Sequence, residues 1–174
     1  MRLNAIEDTF GPLERSGNPS ANDVPVLRRA AMDFLARREH SLFELQQKLS
    51  KKFPAVSSVA IDEVLFKLRE QNLQSDDRFT EAYVRYRKAK GFGYLHIQAE
   101  LLSRRVELSI LERYLIEDDS DWIKIIQAHL LKKLAGGDSI AYGSKQHRRL
   151  VWFLESRGFT PLEIKQALKH KLAT

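Results

Sequence analysis

The sequence contains no cysteine in its 174 residues. This excludes disulfides, thiolate metal sites and cysteine nucleophiles. Long apolar runs are also lacking, since no stretch approaches the ~20 residues that span a bilayer. The first residues do not show the apolar segment of a signal peptide. From these absences we expect a folded cytoplasmic protein without membrane contact.

Sequence motifs of common catalytic and nucleotide-binding sites are missing as well. The chain has no G-x-x-x-x-G-K-[ST], H-E-x-x-H or G-x-S-x-G, and its five histidines are not at metal-ligand spacings. The acidic cluster of Glu117, Asp118, Asp119 and Asp121 is explained more simply as a match to a helix dipole, with Ser120 as the cap, than as Mg²⁺ ligands. We therefore expect no enzymatic activity, no metal and no cofactor.

Positive charge is in excess. The sequence has 29 Lys and Arg against 23 Asp and Glu, a net charge of +6. Residues 1–25 hold two basic and four acidic residues, so residues 26–174 hold 27 basic and 19 acidic ones, a net charge of +8. Such a basic body is typical of proteins that work beside a polyanion, although a well-solvated basic surface gives the same count.

Glycine and proline are concentrated near the start of the chain, where residues 11–25 hold three of the five prolines. We interpret residues 1–25 as a flexible N-terminal tail. From Val26 onward, apolar residues recur at helical spacing in nine stripes, and no stretch alternates like a strand. Capping boxes are predicted at Ser41 with Glu44 and at Thr160 with Glu163.

The nine predicted helices fall into three similar sets. LLSRRV (101–106) aligns with LESRGF (154–159) at an offset of 53 residues. A three-helix unit of about 50 residues buries little core alone and gains by stacking on its neighbours. The sequence therefore predicts an all-α, elongated array of three tandem three-helix repeats, at 26–74, 75–119 and 120–174.

The stretch YVRYRKAKGFG (83–93) is compatible with a phosphate-binding loop, the end of a DNA-binding helix or a helix that closes on a glycine turn. A dinucleotide fingerprint would have a third glycine at position 96, which is histidine here. The helical residues before Gly91 favour a helix C-cap. Arg78, Arg85 and Lys88 recur on one side of this helix, and basic pairs recur on others, which suits contact along a charged backbone.

Two longer strings, LARREHSLFELQQKL (35–49) and DEVLFKLREQNLQSDDRFTEAYVRYRKAKGFGYLHIQAELLSRRV (62–106), resemble the bacterial RecX regulatory family. The shared pattern is R-R-E-H-S, D-x-R-F, Y-V-R-x-R, K-G-x-G and I-x-x-E-L. The resemblance covers about residues 28–172. Family members often have proline where this chain has Tyr94 and alanine where it has Thr80. These departures affect a helix start and a packing position.

The resemblance implies a protein without catalytic residues that binds the RecA recombinase, especially the RecA filament on single-stranded DNA. Family members are held to lie in the filament groove and to suppress ATP hydrolysis, strand exchange and co-protease activity. We expect a monomer whose direct DNA binding, if any, is weak. The alternative is a single-stranded DNA-binding module that competes with RecA for DNA. Few aromatic residues lie among basic ones outside 79–94, so we expect limited base stacking.

The candidate contacts to the RecA filament and DNA are basic residues in the first two repeats: Arg37, Arg38, Arg78, Arg85, Arg87, Lys88, Lys90, Arg104 and Arg105. The motif residues that we expect to be structural are Ser41, Glu44, Phe79, Tyr83, Gly91, Gly93, Ile97 and Leu101. Charge reversal at Arg85 and Lys88 is expected to weaken filament binding and to leave the fold intact.

Overall fold

The structure is a computed structural model that describes residues 23–134, 140–169 and 172–173. Within these ranges the chain forms nine helices: α1 (Asp23–Leu35), α2 (Leu42–Lys52), α3 (Ser58–Glu70), α4 (Asp76–Ala89), α5 (Tyr94–Ser103), α6 (Leu108–Tyr114), α7 (Asp121–Lys133), α8 (Lys145–Ser156) and α9 (Pro161–Leu168). Two short parallel strands, β1 (Ile140–Ala141) and β2 (Leu172–Ala173), pair with each other. The all-α prediction is confirmed. The two strands were not predicted, because two residues are too few to show the alternation of apolar and polar residues that indicates a strand.

The extensive helix contacts in the described part of the chain lie within three sets of three helices. We call these sets repeat 1 (α1–α3), repeat 2 (α4–α6) and repeat 3 (α7–α9). Helices of different repeats share no extensive contact among the described residues, so the described helices form three units along the chain, as the tandem array predicts. The residue boundaries 26–74, 75–119 and 120–174 remain our proposed division.

Helix α1 begins at Asp23, three residues before the predicted start at Val26. The difference arises because Pro25 lies in the first turn of the helix, where a backbone N–H has no intrahelical acceptor and proline is tolerated. The predicted tail therefore loses its last three residues to α1. The rest of that prediction, residues 1–22, lies outside the described residues.

Serine or threonine side chains cap the start of five described helices: Ser41, Ser57, Ser75, Ser144 and Thr160. The capping box predicted at Thr160 is complete, because the Glu163 carboxylate also accepts from the Thr160 N–H, at 2.6 Å. The box predicted at Ser41 is only half formed. Ser41 Oγ accepts from the Glu44 N–H at 3.1 Å, but the Glu44 carboxylate turns to neighbouring cations instead of the Ser41 backbone.

Buried apolar side chains of the described residues form two separate cores. The first lies inside repeat 1 and contains Leu27, Ala30, Ala31, Leu45, Leu49, Ala60, Ile61, Val64, Leu65 and Leu68. The second runs without a break through repeats 2 and 3 and includes Phe79, Ile97, Leu101, Trp122 and Phe159. Phe79, Ile97 and Leu101, for which a structural role was predicted, are all buried in this core. Repeats 2 and 3 thus share one core, while repeat 1 has its own.

A close backbone contact accompanies the shared core. The Gly93 N–H donates to the Arg157 carbonyl at 2.8 Å, and the Leu95 N–H donates to the Gly158 carbonyl at 3.0 Å. A Cβ atom on Gly93 would lie 2.5 Å from the Gly158 oxygen, so only glycine fits. From the sequence, Gly93 was expected only to be a structural residue of the motif. The structure adds that the turn at Gly93 joins repeats 2 and 3.

Candidate functional site

Helix α4 carries most of the YVRYRKAKGFG stretch and ends as the sequence predicted. Gly91 has φ +79°, and the Gly91 and Phe92 N–H groups donate to the carbonyls of Lys88 and Arg87. This pair of hydrogen bonds is the Schellman motif, which satisfies the last carbonyls of a helix. The Gly91 carbonyl also forms a 2.9 Å hydrogen bond with His129 Nε2. The turn is a helix C-cap, and its backbone groups are occupied by protein partners.

Arg78 lies near the start of α4 and is bound to repeat 1. Its Nε donates to Glu39 Oε1 at 2.9 Å, and its two terminal nitrogens donate to Asn72 Oδ1 at 2.7 Å and to the Leu73 carbonyl at 3.2 Å. All three guanidinium nitrogens thus have intramolecular acceptors. The side chain holds α4 against the residues that precede it.

Lys88 lies near the end of α4, with its side chain only 18% exposed. Its ammonium pairs with Asp119 and lies 4.3 Å from the centre of the Trp122 ring. The hydrogen bond from Lys88 and the one from the Asp121 N–H together hold the pKa of Asp119 below its ordinary value. Ser120 makes no side-chain cap; Asp119 Oδ1 accepts from the Asp121 N–H instead, at 2.9 Å. The predicted Ser120 cap is wrong, and Lys88 does not lie on an open basic face.

Glu44 is the centre of a charged cluster between repeats 1 and 2. Its Oε2 is 2.9 Å from His40 Nδ1 and 3.0 Å from an Arg38 Nη, and its Oε1 accepts from Arg104 Nε at 2.9 Å. Burial alone would raise the pKa of Glu44, but the hydrogen bonds from His40, Arg38 and Arg104 outweigh it, and the pKa is lowered. Burial lowers the pKa of His40. A neutral His40 beside a carboxylate must carry its proton on Nδ1.

Other polar contacts complete this junction. The Leu42 N–H donates to Asp76 Oδ1 at 2.8 Å, and the buried Gln74 amide donates to the same oxygen and to the His40 carbonyl. Ser41 Oγ donates to the Arg104 carbonyl at 3.3 Å. Repeats 1 and 2 therefore meet through hydrogen bonds and ion pairs, and neither apolar core continues across the junction.

A groove of about 590 Å³ opens at this junction; its lining is Arg38, Glu39, Phe79, Ala82, Tyr83, Tyr86, Arg87 and Arg104. We call it the Arg–Tyr groove. Arg87 pairs with Glu100 and donates to the hydroxyl of Tyr83, a predicted structural residue, at 3.1 Å. The Arg104 guanidinium lies 4.7 Å from the centre of the Tyr83 ring. Such stacking fixes the guanidinium planes at the wall of the groove.

The charges of the groove do not cancel. Its lining holds the guanidinium groups of Arg38, Arg87 and Arg104. Arg78, which lies outside the lining and pairs with the lining residue Glu39, adds a fourth, and the carboxylates that pair with these four belong to Glu39, Glu44 and Glu100. Four positive and three negative charges leave a net charge of +1. The groove can therefore accept an anionic group beside an aromatic surface.

The remaining candidates, Arg37, Arg85, Lys90 and Arg105, are exposed. The Arg85 side chain is 75% exposed, and its partner is Glu81 at 3.9 Å. Lys90 lies 5.7 Å from the centre of the exposed Tyr86 ring, and Arg105 lies 4.4 Å from that of Phe43. Lys90 also lines a second cavity, of about 300 Å³, together with Lys124 and Lys132. The structure thus divides the predicted contacts into groove residues, partly buried ion-paired residues and exposed cations.

Metal sites and membrane-spanning helices are not expected from the sequence. Across residues 23–134, 140–169 and 172–173, no three His, Asp or Glu side chains come together in a way that could hold a metal ion. No helix in the same ranges combines the length and apolar composition needed to cross a bilayer.

Comparison with known proteins identifies relatives of this chain. A family model described as RecX, second three-helix domain, matches residues 75–115, which include all of repeat 2 except its last connection. A regulatory protein RecX from Pseudomonas savastanoi pv. phaseolicola is 35% identical over 147 residues, which is 84% of this chain and 92% of the relative. The chain belongs to the RecX family. A RecX from Vibrio parahaemolyticus is 33% identical over 141 residues, 81% of this chain and 88% of the relative.

Solved RecX structures share the fold. The crystal structure of RecX from Lactobacillus salivarius has a TM-score of 0.69 at 20% identity and covers 87% of this chain and 97% of its own. A second crystal structure, of a regulatory protein RecX, has a TM-score of 0.64 at 17% identity, with coverage of 86% and 75%. The resemblance stated from the sequence is therefore confirmed at the level of family and fold.

Sequence reasoning missed the residues that bind the candidate cations, namely Glu39, Glu100 and Asp119. The partners are far apart in sequence: 39 residues separate Arg78 from Glu39, and 31 separate Lys88 from Asp119. Spacing within one helix carries no signal for such pairs. The exposure of Tyr86 beside Lys90 became visible only in the structure.

Proposed function

We propose that this RecX family member is a non-enzymatic modulator of the RecA recombinase. It binds in the helical groove of the RecA filament on single-stranded DNA and suppresses ATP hydrolysis, strand exchange and co-protease activity. The partner comes from the family resemblance, and the relatives are named regulatory proteins. The residues of this chain then suggest where the contact forms.

The observation that carries the proposal is the Arg–Tyr groove. Three predicted contacts, Arg38, Arg87 and Arg104, come from three different parts of the chain and line this one cavity. The groove keeps a net positive charge and has Tyr86 at its exposed edge. A concave, cationic and aromatic surface suits an acidic segment of a filament protomer or the DNA backbone that the filament holds.

Regulation without catalysis requires that the protein bind one filament state better than another. A ligand shifts an equilibrium only by its differential affinity for the two states. We propose that repeats 1 and 2 bind across neighbouring RecA protomers and favour a state that hydrolyses ATP slowly or releases protomers. The separate cores of repeats 1 and 2 support this view, since each repeat keeps its own packing when it meets a different protomer.

The test measures RecA ATPase on single-stranded DNA as this protein is titrated. The Arg85→Glu/Lys90→Glu variant reverses two exposed charges beside Tyr86, and we expect about tenfold weaker inhibition, because charges at an interface rim mainly change association. The matched control is Lys51→Glu/Lys67→Glu, two exposed residues of repeat 1. Inhibition equal to that of the parent would refute the contact assignment. Equal losses in both variants would show a general charge effect.

The same titration addresses the rival function. Inhibition well below one molecule per RecA protomer supports filament binding, since one bound molecule then affects many protomers. A competitor for DNA instead needs enough protein to cover the strand, and its inhibition disappears steeply as salt rises. A helical scaffold for another partner would leave the ATPase unchanged at every ratio.

A further inference from the structure

Helix α8 presents a basic and aromatic face to solvent. Leu150 and Leu154 are buried in the core of repeats 2 and 3. Lys145, Arg149 and Trp152 lie on the opposite side of the helix, at i, i+4 and i+7, where side chains follow one another along one face. Arg148 flanks them and is also exposed. The Trp152 side chain is 72% exposed, although indole is among the largest apolar groups a protein carries.

A second aromatic ring stands before the first turn of α8. Tyr142 is 78% exposed and follows β1 directly. Its ring lies 5.0 Å from that of His147. Arg148 donates to the Gly143 carbonyl and so ties the turn that presents Tyr142 to the helix. The exposed rings of Tyr142 and Trp152 therefore flank the cations of α8. Tyr142 follows β1 directly, and Trp152 lies within α8.

The face is strongly cationic. Within α8, Lys145, Arg148 and Arg149 stand against one carboxylate, that of Glu155. No salt bridge joins these three cations to a carboxylate among the residues that the structure describes. Lys133 from α7 joins Lys145 and Arg149 in lining an adjoining cavity of about 470 Å³.

A single exposed apolar residue is ordinary, so the indole alone carries no conclusion. The combination with three cations at helical spacing is more specific. Proteins that bind single strands use a basic surface for the phosphates and aromatic rings on which unpaired bases stack. A duplex keeps its bases stacked inside and leaves the indole without a partner. An acidic peptide would meet the cations but gains little from two aromatic rings.

We propose that the face formed by Tyr142, Lys145, Arg148, Arg149 and Trp152 binds single-stranded nucleic acid, with an unpaired base stacked on Trp152. This binding needs no RecA, and it lies in repeat 3, away from the Arg–Tyr groove. It revises the expectation of limited base stacking, which was drawn from the few aromatic residues that lie among basic ones outside residues 79–94. In the proposed function, the face would hold a strand next to the filament.

The two tryptophans allow a direct test. Trp122 is 1% exposed and lies in the core, so Trp152 is the indole that a ligand can reach. We expect oligothymidylate, added without RecA, to quench the tryptophan fluorescence of the parent protein. The Trp152→Phe variant, which keeps only Trp122, should show no quenching. A duplex of equal length should bind through its phosphates without quenching.

Affinity measurements separate the two parts of the face. By anisotropy with labelled oligothymidylate, Trp152→Ala should weaken binding about 5- to 100-fold, the effect of one lost stacked base. Lys145→Gln/Arg149→Gln should lower the slope of log K against log salt by about 1.4, or about 0.7 for each lost phosphate contact. The control Lys165→Gln/Lys169→Gln removes the same charge from exposed positions at α9.

The outcomes are distinct. Unchanged fluorescence, or equal losses in the Lys145/Arg149 variant and the control, would overturn the proposal. So would a Trp152→Ala variant that binds DNA normally but inhibits RecA poorly, because the face would then bind protein. Since the assay contains no RecA, its failure leaves the proposed function standing. Failure of the ATPase inhibition likewise leaves this DNA site standing.

Discussion

Replacement of Gly158 by alanine is expected to destabilise the junction between repeats 2 and 3. Gly158 has φ +85°, and its carbonyl accepts from the Leu95 N–H. A Cβ atom at this position would lie 2.5 Å from His96 Cβ and closer still to the His96 backbone nitrogen. Backbone cannot move aside as a flexible side chain can, so the two repeats must separate or shift.

The loss of unfolding free energy that we expect for Gly158→Ala has two parts. A non-glycine residue in the left-handed region costs about 1–2 kcal/mol, and forcing an extra carbon into a packed site costs about 1–3 kcal/mol. Gly143 provides the matched control, because it has φ +71° but open space around its would-be Cβ. Gly143→Ala should therefore lose only the first part. Gly158→Ala should lose about 2–5 kcal/mol in total.

Urea denaturation followed by circular dichroism measures both free energies of unfolding. The difference between the two variants isolates the close approach of repeats 2 and 3, because the φ cost is common to both. If Gly158→Ala loses no more unfolding free energy than Gly143→Ala, the backbones of repeats 2 and 3 do not approach closely at Gly158.

Two further predictions concern charged groups. Lys88→Glu should cost about 1–3 kcal/mol, because it leaves Asp119 facing a like charge in a partly buried site beside Trp122. Arg85→Glu, at an exposed position, should stay within about 0.5 kcal/mol. Equal losses of the two variants in urea denaturation would contradict this contrast. Acidification should destabilise the protein. The pKa of His40 is lowered by burial, so its contribution is complete above its ordinary value of 6.5 and is lost as pH falls through its folded pKa. Glu44, whose pKa is also lowered, adds a loss that begins near 4.5. His40→Gln should flatten the decline below pH 6.5, and an unchanged decline would exclude His40 as its cause.

Residues in local patterns could be predicted from the sequence. Apolar spacing identified Phe79, Ile97 and Leu101 as core residues, because one face of a helix must meet the core wherever the helix lies. The glycine after a helical stretch identified the turn at Gly91, and T-P-x-E identified the cap at Thr160. Each of these features depends on neighbours within a few residues.

Features that depend on distant partners could not be predicted in the same way. Glu44 has the right spacing for a capping box, but it binds Arg104, 60 residues away, because two guanidinium groups and a histidine attract a carboxylate more than one backbone N–H does. The partial burial of Lys88 beside Asp119 and Trp122 also depends on residues far apart in the sequence, and so does the contact of Gly93 with Gly158. The sequence therefore predicted the site as a set of basic residues. Their division into groove residues, ion-paired residues and exposed cations became visible only in the structure.

The two junctions between repeats differ in what holds them. Repeats 2 and 3 share an apolar core and direct backbone hydrogen bonds, which dissolved salt hardly weakens. Repeats 1 and 2 meet through the charges around Glu44 and Arg78, whose exposed parts are screened by salt. We therefore expect rising ionic strength to weaken the first junction more than the second, so that repeats 2 and 3 stay joined as one arm under conditions that loosen repeat 1.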